Sequence, residues 1–378
     1  MKTSMVQYRS GDGWQSKLPE ADSAQTLVLV FGAPEFMHDS SSLQQVADSF
    51  PSSHVIGCST AGEIFEDEIF DHSLSVSITQ FEHSQLKSAW STVSTSASSF
   101  AAGQSIARQL AAPDLQAVIV LSDGLQVNGT ELVSGINAEL PAGVVVTGGL
   151  AGDGPRFENT WILQNGAPVS GKICAVGLYG DRLRIGHGSQ GGWDFFGPER
   201  VITRAEGNVL YEVDGRPALD LYIDYLGERA SELPAAALLF PLSIRASRDT
   251  DERVVRTILS IDEAARSMTF AGDLPEGHLA QLMRANLDRL IDGAGAASQD
   301  TIALTKRSEP GLMIAISCVG RRLVLGERTE EEVEATMELM PAGSHQVGFY
   351  SYGELSPIAS GRCDLHNQTM TLTGIWEI

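Results

Sequence analysis

The sequence predicts an α/β protein of mixed α+β type, and three observations carry that expectation. Short, unbroken apolar runs such as Leu27-Val-Leu-Val-Phe-Gly and Ala117-Val-Ile-Val-Leu-Ser-Asp-Gly end in small-residue turns, as fully buried strands do. Capped amphipathic stretches stand between them. From Trp161 to Arg216 the texture changes to alternating segments punctuated by glycine, the pattern of antiparallel strands and hairpins. At 378 residues, 43% hydrophobic and 20% charged, the chain is long enough for two cores. The expected division is an N-terminal domain over 25–222, with mixed sheets and flanking helices, and a smaller α+β domain over 223–378.

Taken in order, Leu27 to Gly32 is a strand, and Ser40-Ser-Ser-Leu-Gln-Gln-Val-Ala-Asp-Ser-Phe is a serine-capped helix with Leu43, Val46, Ala47 and Phe50 on one face. Val55-Ile-Gly-Cys-Ser-Thr-Ala-Gly completes a β-α-β opening. Leu74-Ser-Val-Ser-Ile-Thr and the run 87–95 alternate, which predicts strands with one wet face. A helix over 99–110, the strand from Ala117, a helix opened by Asn128 and the strand Val144-Val-Val-Thr-Gly-Gly follow. Ala218-Leu-Asp-Leu-Tyr-Ile-Asp-Tyr-Leu-Gly is a helix closed by glycine. The second half is expected to hold strands over 236–245, 254–260 and 311–319, a helix over 278–291, and a helix opened by a capping box at Thr329 and Glu332. The Gly-, Ala- and Ser-rich stretch 292–300 reads as a flexible connection.

The formal net charge of −22 repels phosphate backbones and anionic lipid, so neither nucleic acid nor a membrane surface is an expected partner. No apolar run approaches the roughly 18 residues a spanning helix needs, and the first ten residues lack the apolar core of a signal peptide, which predicts a cytoplasmic protein. The four cysteines, Cys58, Cys174, Cys318 and Cys363, form no Cys-x-x-Cys pair, so no disulfide framework or zinc knuckle is expected.

Chemistry-bearing residues concentrate near the C-terminal end, where two apolar strands deliver Cys318, Arg321, Glu354 and His366-Asn367 to their ends. Gly148 and Gly149, after a strand, suggest a turn lining a pocket, but the spacing fits no phosphate-binding fingerprint. Arg245 and Glu354 could clamp a zwitterion or form a structural ion pair. His187, between Gly186 and Gly188 and followed by Trp193, Phe195 and Phe196, has the clearance and aromatic walls that an axial imidazole of haem needs. A histidine in a glycine-rich hairpin explains the same residues, and both readings stay open. No base stands near Cys58 or Cys318, so a thiol enzyme is not expected.

Val55-Ile-Gly-Cys-Ser-Thr-Ala-Gly-Glu, Gly148-Gly-Leu-Ala-Gly-Asp, Ser317-Cys-Val-Gly-Arg, Gly348-Phe-Tyr-Ser-Tyr-Gly-Glu and His366-Asn-Gln-Thr together resemble the FIST domain family, with its N-terminal and C-terminal parts both represented. The resemblance implies a sensory, non-enzymatic role in signal transduction with small ligands, amino acids among them. It also implies kinship with stand-alone nitric-oxide-sensing haem proteins called NosP, which act in trans on a histidine kinase or a cyclic-di-GMP enzyme. On that reading non-covalent haem b is held by His187, with Trp193, Phe195 and Phe196 as the wall, nitric oxide as the signal, and a homodimer as one assembly. The haem-free alternative places an amino acid or metabolite among Arg245, Cys318, Glu354, His366, Asn367, Gly148 and Gly149.

Overall fold

The computed structural model describes residues 1–233 and 235–378. They form a mixed α+β structure with four sheets. The helices are α1 (Ser41–Ser49), α2 (Ser99–Leu110), α3 (Gly129–Glu139), α4 (Ala218–Leu226), α5 (Leu287–Thr305), α6 (Val319–Leu325) and α7 (Thr329–Glu338). Each of three sheets contains one parallel pair joined through helix: Thr26–Gly32 with His54–Ser59 through α1, Leu115–Ser122 with Val145–Leu150 through α3, and Leu312–Cys318 with His345–Ser351 through α6 and α7. Antiparallel strands extend every pair outward.

These three sheets share a core. Leu27, Leu29 and Phe31 from the first sheet meet Ile119, Leu121 and Val176 from the second and Ile314, Ile316 and Phe349 from the third. The alternate residues Val28 and Val30 face α1 instead, so the run Leu27 to Gly32 is buried on both sides. The same double burial corrects the wet face expected of residues 74–79. Strand Ser73–Gln80 is covered on both faces, with Ser75 and Ser77 fully buried.

The fourth sheet, residues 194–284 with α4, is a separate lobe with its own core of Ile202, Leu210, Tyr222, Ile244, Phe270 and Leu282. Two of the body's sheets take strands from both sides of residue 222: Gly353–Pro357 pairs with Val145–Leu150, and Met370–Glu377 pairs with Leu183–Gln190.

Several expectations in the second half are overturned. Residues 279–284 form a strand, and the helix starts only at Leu287, where the Asn286 side chain accepts the Arg289 N–H. The stretch 292–300 is the middle of that helix, not a flexible connection. Its small residues let α5 lie close to its neighbours. A Cβ on Gly186 or Gly188 would come within 2.1 Å of the carbonyl oxygens of Thr301 and Ala297, and one on Gly293 would lie 3.1 Å from the Gly192 nitrogen. Thr329 and Glu332 form no capping box. The Thr329 hydroxyl donates to the Gly326 carbonyl, and Glu332 turns inward to a buried ion pair.

Candidate functional site

The parallel pair of the third sheet brings the ends of two strands together, with Cys318 opposite Ser351. The chain turns at once into strand Gly353–Pro357, whose Glu354 sits opposite Gly149 on one neighbour and His366 on the other. The Glu354 side chain is fully buried. Its Oε1 accepts the Ser351 hydroxyl at 2.8 Å, and its Oε2 accepts the Thr369 hydroxyl at 3.0 Å and the Thr369 N–H at 3.3 Å. Burial pushes the carboxyl up to about 8, against the pull of those hydrogen bonds and of Arg321, so it carries its proton at neutral pH. Burial, with Glu354 nearby, also raises the Cys318 thiol. Cys58 and Cys174 are raised by the same cause, which disfavours the thiolate form at all three.

The turn 367–369 packs beside the Glu354 carboxyl. Asn367 and Gln368 are both fully buried, and neither atom of either side-chain amide has a hydrogen-bond partner among the described residues. Gln368 adopts φ +61°, a left-handed conformation uncommon for a glutamine. Its carbonyl accepts the Trp193 indole N–H at 2.8 Å, and the Thr369 carbonyl accepts the Cys318 N–H. Gly320 in α6 makes the arrangement possible, since a Cβ there would stand 2.4 Å from the Gln368 amide nitrogen. Val319, the preceding residue, lines an open cleft of about 630 Å³ with Asp71, Pro155 and Arg322, so the first turn of α6 lies between that cleft and the buried Gln368 amide.

Arg321 holds that turn. It is completely buried, and its Nε and Nη2 donate to Glu332 Oε2 at 2.9 and 2.7 Å, while Ser317 and Tyr350 donate to Oε1 at 3.0 and 2.8 Å. Two further N–H groups reach the carbonyls of Gly191 and Leu290. Every partner is satisfied, the condition under which a buried ion pair fixes one geometry.

The structure thus brings together Gly149, Cys318, Glu354 and Asn367, with His366 on the adjoining strand. The His366 ring pairs its Nε2 with the Ser356 carbonyl, and burial lowers its pKa. Gly148 and Gly149 lie within a strand and not in a turn. A Cβ at Gly148 would stand 1.8 Å from the Val120 carbonyl oxygen, and one at Gly149 would press on Ile316 and Phe349, so these glycines admit close strand packing. The turn itself follows at Asp153, whose carboxylate accepts the N–H groups of Phe157, Glu158 and Asn159. Arg245 is not part of the set. It belongs to the lobe, where it pairs with Glu199 at 2.6 Å, so the clamp with Glu354 is not formed. Sequence reasoning passed over Ser351, Gln368 and Thr369, although the motif His366-Asn-Gln-Thr contains two of them.

The four residues proposed to hold haem do not form one wall. The clearance at Gly186 and Gly188 is filled by the α5 backbone, and His187, on a strand opposite Thr373, is half-buried, with burial holding its pKa down. Trp193 packs with Met283, Leu290 and Leu325 at the neck of the lobe. Phe195 is 52% exposed beneath the Arg253 guanidinium, and Phe196 packs against Tyr225 and Phe240 inside the lobe. The residues present do not fit a haem pocket. Among the described residues no group of three or more His, Cys, Asp or Glu is placed to hold a metal ion, and no helix is long and apolar enough to cross a membrane.

Strand ends of the mixed α+β body thus converge on a buried polar cluster around Glu354, Asn367 and Gln368. The chain belongs to the FIST family: residues 26–216 match the FIST N domain and residues 218–357 the FIST C domain. FIST domains are sensory domains of signal transduction that bind small ligands. Similar chains include an uncharacterized protein of Methanocaldococcus jannaschii, 24% identical over 61% of this chain and 48% of its own length. Uncharacterized proteins of Mycobacterium tuberculosis and Mycobacterium bovis are each 25% identical, over 67% of this chain and 66% of their own. The chain therefore spans between about half and two thirds of the curated relatives it matches.

Proposed function

We propose that this protein is the ligand-receiving component of a signalling pathway and that the chamber formed by Gly149, Cys318, Glu354, Asn367 and Gln368 takes a small polar ligand, an amino acid or a related metabolite. One observation carries this reading: four side-chain amide atoms of Asn367 and Gln368 are buried without a partner among the described residues. An unpaired buried amide group costs about 1–3 kcal/mol, and a ligand offering donors and acceptors recovers that cost. Protonated Glu354 adds a neutral hydrogen-bond donor, which favours an amide, hydroxyl or carboxylate oxygen of the ligand over a cation. Binding would reorder the first turn of α6 and so change the cleft beside it, a surface that a histidine kinase or a cyclic-di-GMP enzyme would read in trans; a homodimer is compatible with the same output.

The test is calorimetric titration with a panel of amino acids and polar metabolites against the wild type and Asn367→Ala. Saturable binding that the substitution weakens about tenfold or more supports the chamber. Binding untouched by Asn367→Ala and by Gln368→Ala removes it.

Haem b at His187, with nitric oxide as the signal in the manner of NosP proteins, is the reading this geometry speaks against, since Trp193, Phe195 and Phe196 do not wall that histidine. A reconstituted protein without a Soret band, or one whose band is indifferent to His187→Ala, rejects that ligand.

A further inference from the structure

The lobe and the body face each other across a groove of about 360 Å³, at the small end of ligand-pocket sizes. Arg245, Arg253 and Arg256 line its lobe side; Thr130, Ile358 and Asp364 line its body side. One carboxylate, Glu199, serves two of the arginines, accepting Arg245 Nη2 on Oε2 at 2.6 Å and Arg253 Nη2 on Oε1 at 2.8 Å. Within that trio one positive charge is left over, although Glu252, Asp273 and Asp364 also line the groove. Arg245 Nε and Arg253 Nη1 are buried and have no hydrogen-bond partner among the described residues.

Arg256 is the more telling of the three. It is 3% exposed, yet among the described residues its hydrogen bonds run only to the backbone carbonyls of Val255, Leu365 and Asp273. The Asp364 carboxylate stands off at 3.9 Å. Burial lowers the Arg256 pKa, with Asp364 and Asp273 opposing. A buried cation without a hydrogen-bonded anion is the unfavourable half of an ion pair, and an anion arriving beside it recovers the missing half. Arginine forks at such a site match planar oxyanions in two parallel hydrogen bonds.

The groove also holds Glu252, Asp273 and Asp364, which sets the ligand class. Each already has a partner: Glu252 accepts the Ser360 N–H, Asp273 the Asn128 amide and Asp364 the Leu365 N–H. Their charge opposes a doubly negative phosphate, and their spare oxygens accept from hydroxyl or other donor groups. We infer that the groove between lobe and body is a second binding site, for a small monocarboxylate bearing hydrogen-bond donors, whose carboxylate completes the pairing of Arg245, Arg253 and Arg256. The site uses no residue of the inner chamber and stands or falls apart from it. Because Arg256 of the lobe bonds the Leu365 carbonyl of the body, an occupant of this groove also fixes how the two meet.

The experiment is thermal unfolding of the full chain in lactate, acetate or inorganic phosphate, with sodium chloride at matched ionic strength. The expected result is a midpoint that climbs with the logarithm of lactate concentration, less with acetate, and not with phosphate beyond the salt control. Arg256→Met, which removes the charge and keeps much of the volume, is expected to unfold cooperatively and to lose that shift. Should Arg256→Met not fold, Arg245→Gln carries the test and is expected to weaken lactate on the order of tenfold. Asn367→Ala must keep the response. No shift above the salt control, a phosphate shift equal to that of lactate, or a lactate shift that survives in both arginine variants overturns the proposal. Loss of the shift in Asn367→Ala alone assigns the ligand to the inner chamber and overturns it as well.

Discussion

Glu354 ties the chamber to pH. Its carboxyl ordinarily titrates near 4.5 and is raised by burial to about 8, so between those values the folded chain keeps a proton that the unfolded chain has lost. The contribution of Glu354 to stability is therefore largest below about 4.5 and is lost as pH rises toward 8. Glu63, buried beneath Thr60 and Ser73 and also raised to about 8, slopes the same way. Burial lowers the pKa of His54, His187 and His366, which slopes the other way below about 6.5, while His345, raised by its hydrogen bond to Glu66, slopes the same way as the carboxyls above 6.5, so the Glu354 share is read as the difference between wild type and variant. Glu354→Gln, which mimics the protonated form, is expected to flatten the decline as pH rises toward 8. The gain at pH 8.5 should be on the order of 1–3 kcal/mol, read from urea midpoints at a series of pH values. A decline as steep as in the wild type would mean that Glu354 is ionised in the folded protein. Arg321 gives the opposite kind of residue. With Glu332 and two carbonyls as partners at full burial, Arg321→Met strands a carboxylate, and a loss of about 3–5 kcal/mol in the same assay is expected.

At the scale of elements, what was legible depended on whether a segment's composition reflected its own conformation or its neighbour's. The apolar runs at Leu27, Val55 and Ala117 read correctly as strands because burial on both faces leaves no polar position to confuse the period. Asn128 before α3 read correctly as a cap because its side chain makes the capping bond to Glu131 locally. Helix α5 misled for the converse reason: Gly293, Ala294, Gly295, Ala296 and Ala297 are small to suit what packs on them. The cluster Cys318, Glu354, His366 and Asn367 was visible as polar residues at the ends of apolar strands. The exclusion of Arg245 was not, because strand order decides which ends meet. Two glycines separate these causes within one helix. Gly293→Ala meets the Gly192 backbone at 3.1 Å and should destabilise by about 1–3 kcal/mol, whereas Gly295→Ala has nothing nearer than 3.8 Å and should stabilise by about 0.5–1 kcal/mol through helix propensity. Denaturant midpoints of the two variants moving in the same direction would show that packing does not set this composition.

For the whole molecule, the sheets and the family boundary divide the chain differently. The FIST N and FIST C matches meet near residue 217, inside the lobe, while the body's sheets join strands from before and after it. The lobe leaves the body after Trp193 and returns before Leu287, and its two ends lie side by side, since Asp194 and Arg284 are paired across antiparallel strands. Neighbouring strands lie about 5 Å apart, a gap that a turn of a few residues spans. The lobe is thus an insertion with a core of its own, between the edge strand Leu183–Gln190 and helix α5 that packs on it. Replacing 195–283 by a short glycine-serine turn is expected to leave a body that unfolds cooperatively and retains Trp193 in a shielded environment. Some stability is lost, because Met283 leaves the cluster of Trp193, Leu290 and Leu325. Circular dichroism and tryptophan emission check it: a molten, aggregating product would mean that lobe and body fold as one unit. A well-folded body that keeps the inner chamber's ligand and loses the lactate response would show that the body alone carries the chamber, while the second site exists only where the lobe lies against it.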